Sequence, residues 1–200
     1  MRELSLLETR VLGTLYEKQH TVPDSYPMTL NALVSGCNQK TSRSPVMEAT
    51  DAEVQGALDS LKGANLVMET SGGRVSRYSH NFERVIQVPS QSAAILTVLM
   101  LRGPQTAGEL RINCERLHRF ADISAVDAFL QELAGRSLVV QLARQPGSRE
   151  ARWAHLLSGT PQVEEAVAPE RPTSELATLK AEVAALRELV ERIAKHVGIT

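Results

Sequence analysis

The chain has only two cysteines in 200 residues, Cys37 and Cys114, with no CxxC and no spacing of a zinc site. Each reads as a buried thiol acting as a small hydrophobe. Cys114 and His118 stand four apart, as two ligands on one helix face would, but no further convergent pair completes a site, so no metal is expected. An excess of one charge is also missing. Residues 1–89 carry nine Lys/Arg against ten Asp/Glu, residues 90–158 eight against six, and the remainder five against seven, giving a net charge of −1. Without a basic excess, non-specific attraction to nucleic-acid phosphates is expected to be weak. Long apolar runs are lacking too. The longest, AAILTVLML at 93–101, contains Thr97 and is too short to span a bilayer. The N-terminal MRELSLLETR has no cleavable-signal pattern, so a cytoplasmic protein with no membrane attachment is expected. Finally, no nucleophile–base pair, Gly-rich phosphate loop or ligand cluster occurs, and His80, His118 and His155 stand isolated and read as structural. These absences predict a non-enzymatic protein without a cofactor. The 42% hydrophobic and 22% charged fractions are those of an ordinary globular chain.

What the sequence does have is an internal repeat. Val54, Leu58, Leu61, Gly63, Leu66 and Val67 meet Val126, Leu130, Leu133, Gly135, Leu138 and Val139 at one constant offset. Both stretches end on an aromatic, a small residue and a histidine, Tyr78-Ser79-His80 and Trp153-Ala154-His155. Upstream, Val11, Leu12 and Leu15 match Ile95, Leu96 and Leu99, while Thr29, Leu33 and Cys37 match Thr106, Leu110 and Cys114. Two copies of one fold lie in tandem.

In the first copy Leu4, Leu7, Val11 and Leu15 keep helical spacing behind a Ser5/Glu8 capping box. Thr29 then caps a short helix through Leu30, Leu33 and Val34, and Thr50 with Glu53 boxes a third that ends near Gly63, the position expected for a left-handed cap. Leu66 to Thr70 and Arg74 to His80 read as a hairpin around Ser71-Gly72-Gly73. The second copy repeats the order: a helix from Ser90 to Leu101, a Gly103-Pro104 break, a Thr106/Glu109 box, a third helix starting near Ser124, and a hairpin turning at Pro146-Gly147-Ser148. Three helices followed by a hairpin is the winged-helix order. The fold class is therefore mainly α with small β-hairpins (α+β), with winged-helix domains over 1–88 and 89–158. A Pro-containing linker follows over 159–172. Beyond it, Leu176, Leu179, Val183, Leu186, Val190, Ile193 and Val197 alternate steps of three and four, a heptad seam over 173–197. Valine at three a positions over mostly leucine at d predicts a parallel homodimer; docking of this helix back on its own domains is the alternative.

Several strings carry a family resemblance. Leu7-Glu8-Thr9-Arg10-Val11-Leu12, Glu17-Lys18-Gln19, Tyr26-Pro27, Cys37-Asn38-Gln39-Lys40 and Leu101-Arg102-Gly103-Pro104-Gln105-Thr106 are similar to those of the bacterial YceH-like family. So are Gly108-Glu109-Leu110-Arg111, Pro146-Gly147, Arg149-Glu150 and His155-Leu156-Leu157-Ser158-Gly159, and the match runs end to end. The resemblance implies tandem winged helices in a family of uncharacterised bacterial proteins, and leaves activity open.

The stretch Asn38, Gln39, Lys40, Thr41, Ser42 and Arg43 joins helices two and three, the segment that turns the chain over the DNA backbone in helix-turn-helix proteins. Asn38, Thr41 and Ser42 serve equally as phosphate ligands or as caps of a turn, whereas Lys40 and Arg43 are assigned to surface recognition. The third helices contradict groove insertion, because they offer Asp51, Glu53, Asp59, Asp122, Asp127 and Glu132. Positive charge sits elsewhere: Arg74 and Arg77 on the first wing, Arg144, Arg149 and Arg152 on the second, and Arg111, Arg116 and Arg119 in or after the second copy's second helix. Two functions follow: a dimeric DNA-associated transcriptional or chromosomal regulator making weak, backbone-directed contacts, placed first, and a protein-interaction scaffold without direct DNA binding.

Overall fold

The computed structural model describes residues 2–144, 147 and 150–160. The heptad residues Leu176 to Val197, the linker from 161 on, and Pro146, Ser148 and Arg149 lie outside the described residues. The described part is a mixed α+β fold with seven α-helices and small antiparallel sheets among its residues.

Helix α1 (Leu6–Thr21) starts on the predicted box: Ser5 Oγ accepts from the Glu8 N–H at 3.2 Å and Glu8 Oε2 accepts from the Ser5 N–H at 2.6 Å. Strand β1 (Met28–Thr29) follows, then α2 (Leu30–Cys37), capped by Thr29, and α3 (Asp51–Gly63), boxed by Thr50 and Glu53. Strands β2 (Val67–Thr70) and β3 (Arg77–His80) make a sheet of order β1-β3-β2. Their register pairs Val67 with His80 and Thr70 with Arg77, so the connection runs over 71–76 and is longer than the tight Ser71-Gly72-Gly73 turn expected. A short α4 (Phe82–Ile86) leads to α5 (Ser90–Arg102), α6 (Ala107–Asn113), α7 (Ile123–Gly135), and the β4 (Val139–Gln141) and β5 (Trp153–His155) hairpin. Neither β1 nor α4 was legible in the sequence, since two residues and five are too short for a periodicity to register.

The repeat holds at the level of hydrogen bonds. Met28 pairs with Tyr78 in the first copy, and its counterpart Gln105 makes an isolated antiparallel bridge with Trp153 in the second. Helices α3 and α7 end identically. The Leu66 N–H donates to Leu61 O and the Asn65 N–H to Lys62 O; Leu138 donates to Leu133 O and Ser137 to Ala134 O. These are paired Schellman closures, and the left-handed residues are Asn65 (φ 59°) and Ser137 (φ 54°). The expectation that Gly63 takes that conformation is corrected: Gly63 is the last helical residue, and the cap lies two positions later. Likewise α7 starts at Ile123, one residue ahead of Ser124, because Asp122 accepts from the Ala125 N–H at 2.8 Å as its N-cap.

Helices α1 and α5 pack on one another at the centre of one core shared by both copies. This explains the AAILTVLML run: Ser92 through Leu101 is buried all round, as is Glu8 through Tyr16 of α1. A helix flanked on every side has no solvent stripe to keep polar. Burying each leucine there stabilises the fold by about 1.5–3 kcal/mol.

Candidate recognition surface

The loop between α2 and α3 is held from both sides. Arg43 is buried, and its side chain reaches back to α1: Nη2 donates to Glu17 Oε2 at 2.5 Å and Nη1 to Glu17 Oε1 at 3.3 Å. Its Nε donates to Gly36 O at 3.2 Å and Nη1 also donates to Ser42 O at 2.9 Å. Beside it Arg10, fully enclosed, donates to Cys37 O at 3.0 Å and to Pro45 O at 2.7 Å. Two guanidiniums therefore cap the last carbonyls of α2, where the helix dipole favours positive charge. Burial and the neighbouring Arg43 both push the Arg10 pKa down, and the bonds to carbonyl oxygens hold its charge in place.

Asn38 ties the loop across its width. Its Nδ2 donates to Ala49 O and its Oδ1 accepts from the Ala49 N–H, both at 2.8 Å. Ser42 sits at φ 60° and its Oγ accepts from Arg102 Nη2 at 2.8 Å, while the Ser44 N–H donates to Leu101 O at 2.8 Å. The loop thus clasps the end of α5, the first helix of the second copy. Gln39 is half-buried, and only Lys40 and Thr41 of the six-residue stretch are exposed. The assignment of Arg43 to surface recognition is corrected: its guanidinium is consumed by Glu17 and two carbonyl contacts inside the fold. The signal that would have found this was Glu17, on the α1 turn that faces α2, but nothing in a linear sequence pairs positions 26 residues apart.

The solvent face of α3 is engaged in the same way. Lys62 bridges Asp59 at 2.9 Å and Glu69 of β2 at 2.6 Å; Gln55 donates to Asp59 at 3.1 Å and accepts from the Tyr78 hydroxyl at 3.2 Å. At its other edge Arg2 donates to Ser60 Oγ at 2.8 Å and pairs with Glu8 at 2.6 Å. The Arg2 contact is the leading cause that holds the Glu8 carboxyl down at about 2.

The remaining cations are dispersed. Arg77 donates to Pro27 O at 2.8 Å, Arg111 to Ala121 O at 3.3 Å, and Arg152 to Pro104 O at 2.7 Å and Glu109 at 3.0 Å. Arg119 pairs with Glu115 at 3.3 Å. Lys40, Arg74, Arg116 and Arg144 are exposed and make no ion pair among the described residues. Cys37 and Cys114 are buried, and burial pushes their thiols up to about 11 and about 12. His118 follows the end of α6 and packs edge-on against Phe120 rather than sharing a helix with Cys114.

His80 is held between Tyr16, Tyr26 and Gln19: its ring contacts Gln19 Oε1, its Nδ1 accepts from the Phe82 N–H at 3.3 Å, and its own N–H donates to the Tyr26 hydroxyl at 2.7 Å. Burial lowers both His80 and His155 to about 4 from 6.5, with the His20 charge a smaller cause at His80. The fold therefore favours the neutral rings. Between pH 6.5 and 4 the unfolded chain takes up protons that the native state refuses, so stability falls as pH drops through that window and levels off below it. Urea melts at pH 7, 5.5 and 4 should show this decline, and a His80→Gln/His155→Gln chain should show a flatter profile.

A family model described as "Protein of unknown function, DUF480" matches residues 4–148. A UPF0502 protein of Dechloromonas aromatica is 61% identical, covering 94% of each chain. UPF0502 protein Mpe_A1449 of Methylibium petroleiphilum is 60% identical over 98% of this chain and 85% of its own, and a UPF0502 protein of Burkholderia multivorans is 58% identical over 100% and 91%.

Proposed function

The chain belongs to the DUF480 family, the uncharacterised bacterial UPF0502 proteins, and from the geometry alone we propose that it is a non-enzymatic tandem winged-helix scaffold that binds a protein partner. The winged-helix reading is supported by the order α1, β1, α2, α3, β2, β3 with sheet order β1-β3-β2, and by its echo in α5, α6, α7 and the β4–β5 hairpin. The observation that carries the partner reading is the state of α3. A helix that reads the major groove needs free donors on its outer face. Here Gln55, Asp59 and Lys62 are spent on one another and on the hairpin, Asp51 and Glu53 add negative charge, and Arg43 of the preceding loop is enclosed. Fluorescence anisotropy of the intact protein on random duplex at low and moderate salt should show binding too weak to have the salt slope of even two phosphate contacts. A steep slope overturns the scaffold.

The second reading, a DNA-associated regulator with contacts to the backbone only, is favoured by exposed cations outside ion pairs, Lys40, Arg74, Arg116 and Arg144 among them. It predicts that the fourfold alanine variant flattens the salt dependence seen with the parent chain.

In either reading the protein acts as a dimer through residues 173–197, a proposal resting on the heptads and on Glu175 and Glu182 at g facing Lys180 and Arg187 at e. Deleting residues 173–200 should leave a well-folded monomer in sedimentation equilibrium. An unchanged dimer would refute the assignment.

A further inference from the structure

The turn between α5 and α6, residues 103–105, is held from both copies at once. From the first copy, the Ser44 N–H donates to Leu101 O at 2.8 Å, satisfying one of the last carbonyls of α5, and Ser42 Oγ accepts from Arg102 Nη2 at 2.8 Å. From the second copy's hairpin, Arg152 Nη1 donates to Pro104 O at 2.7 Å, and Gln105 and Trp153 exchange both backbone bonds, at 3.0 and 2.7 Å. Two residues in this chain of contacts have backbones that local sequence does not favour. Gly103 sits at φ 75° and ψ −162°, a region essentially restricted to glycine, and Ser42 sits at φ 60°. Both lie where the two copies are bonded to one another.

The repeat separates the two ties. Pro27 and Met28 correspond to Pro104 and Gln105, and Arg77 and Tyr78 to Arg152 and Trp153. Arg77 Nη1 donates to Pro27 O at 2.8 Å, so the hairpin's arginine grips the turn in both copies. The tie from the α2–α3 loop is made once. Among the described residues, nothing from the α6–α7 connection bonds to the turn after α1, which instead forms a short 3-10 helix over Pro23–Ser25. The loop that reaches α5 is itself stiff: Asn38 and Ala49 close it across its width, buried Arg10 and Arg43 support it from beneath, and Lys40, Thr41 and Val46 stand exposed on it. A stiff loop displaced at its exposed positions carries Ser42 and Ser44 with it, and the turn at Gly103 has the backbone freedom to follow. We infer that the α5–α6 turn is a conformational relay, through which contact on the exposed α2–α3 loop of the first copy shifts the hairpin of the second, and contact on that hairpin shifts the loop. Its two states are the turn bonded on both sides and the turn released from the loop, with Gly103 free to leave the glycine-only region. The relay serves a protein partner or a phosphate backbone equally, so it goes beyond the reading above without depending on it.

Amide hydrogen exchange of the full-length protein, resolved residue by residue, tests this without a partner. Asn38→Ala removes a side chain whose two bonds both go to Ala49 and none to the second copy. Exchange at the Gln105 and Trp153 N–H groups should nevertheless speed up about fivefold or more, the scale of one lost hydrogen bond. Arg152→Ala, at a half-exposed position, should in return speed exchange at the Ser44 and Ala49 N–H groups, because coupling is reciprocal. Arg77→Ala removes the same grip where the loop tie is missing, and should leave Ser44 and Ala49 unchanged. The slowest amides of α1 and α5 report global stability and should shift less than those named. Asn38→Ala effects confined to residues 38–50, or Arg152→Ala effects confined to the second copy, overturn the relay. So does an equal response of Ser44 to Arg77→Ala and Arg152→Ala, or a uniform shift of every amide, which marks plain destabilisation.

Discussion

Replacing Arg43 by alanine should lower the unfolding free energy by about 3 kcal/mol, at the lower edge of what removing one partner of a buried pair costs. The substitution deletes the charge-assisted bonds to Glu17 and the bonds to Gly36 O and Ser42 O, and leaves a cavity at the end of α2. Relief of repulsion with Arg10 offsets part of this. Bonds to a charged group are each worth about 1.5–3 kcal/mol, so the losses outweigh the relief. Lys40→Ala, three residues earlier and exposed, should change stability by no more than about 0.5 kcal/mol. Chemical denaturation of the two variants side by side reads the contrast. Equal effects would mean that the loop is not anchored through Arg43. Neither the parent nor Arg43→Ala should differ in salt dependence on duplex DNA, since the guanidinium never reaches solvent.

The second large effect is expected at Gly36. A Cβ there would stand 2.6 Å from Thr14 Cγ2, on a buried, β-branched side chain of α1 that has little rotamer freedom. Gly36→Ala should therefore push α2 away from α1 and destabilise by about 2 kcal/mol, although alanine is the better helix former by about 1 kcal/mol. Thr14→Ser removes the offending methyl and keeps the hydroxyl that Cys37 Sγ approaches at 3.8 Å. The Gly36→Ala/Thr14→Ser double variant should recover most of the loss, giving a coupling energy of about 1–2 kcal/mol in a double-mutant cycle. Additive losses would show that the clash is relieved elsewhere.

Much of the fold is written in local chemistry. Ser5/Glu8, Thr29, Thr50/Glu53 and Thr106/Glu109 each start the helix that their spacing announces, because a cap needs only partners within four residues. The tandem repeat was equally legible, since equivalent leucines fill equivalent core positions. The Gly63 cap was misplaced for a related reason: Asn and Ser also tolerate the left-handed region, and the choice of Asn65 and Ser137 was made by the carbonyls available to close each helix.

The candidate site was legible only as a segment. The stretch 38–43 does mark the α2–α3 connection, yet which of its residues face outward depended on contacts made 26 and 60 residues away, from Arg43 to Glu17 and from Ser42 to Arg102. Sequence by itself determined six of the seven described helices, four of their N-caps, the repeat and the lack of a strong charge of either sign, all properties of composition or of neighbours a turn apart. Tertiary structure alone decided that Arg10 and Arg43 are internal, that α1 and α5 form the shared centre, and that Ile112 and Ile123 are left outside. Burial is set by which surfaces meet across the chain, and an arginine that finds carbonyls and a carboxylate inside is as well satisfied there as an isoleucine is ill-served in water.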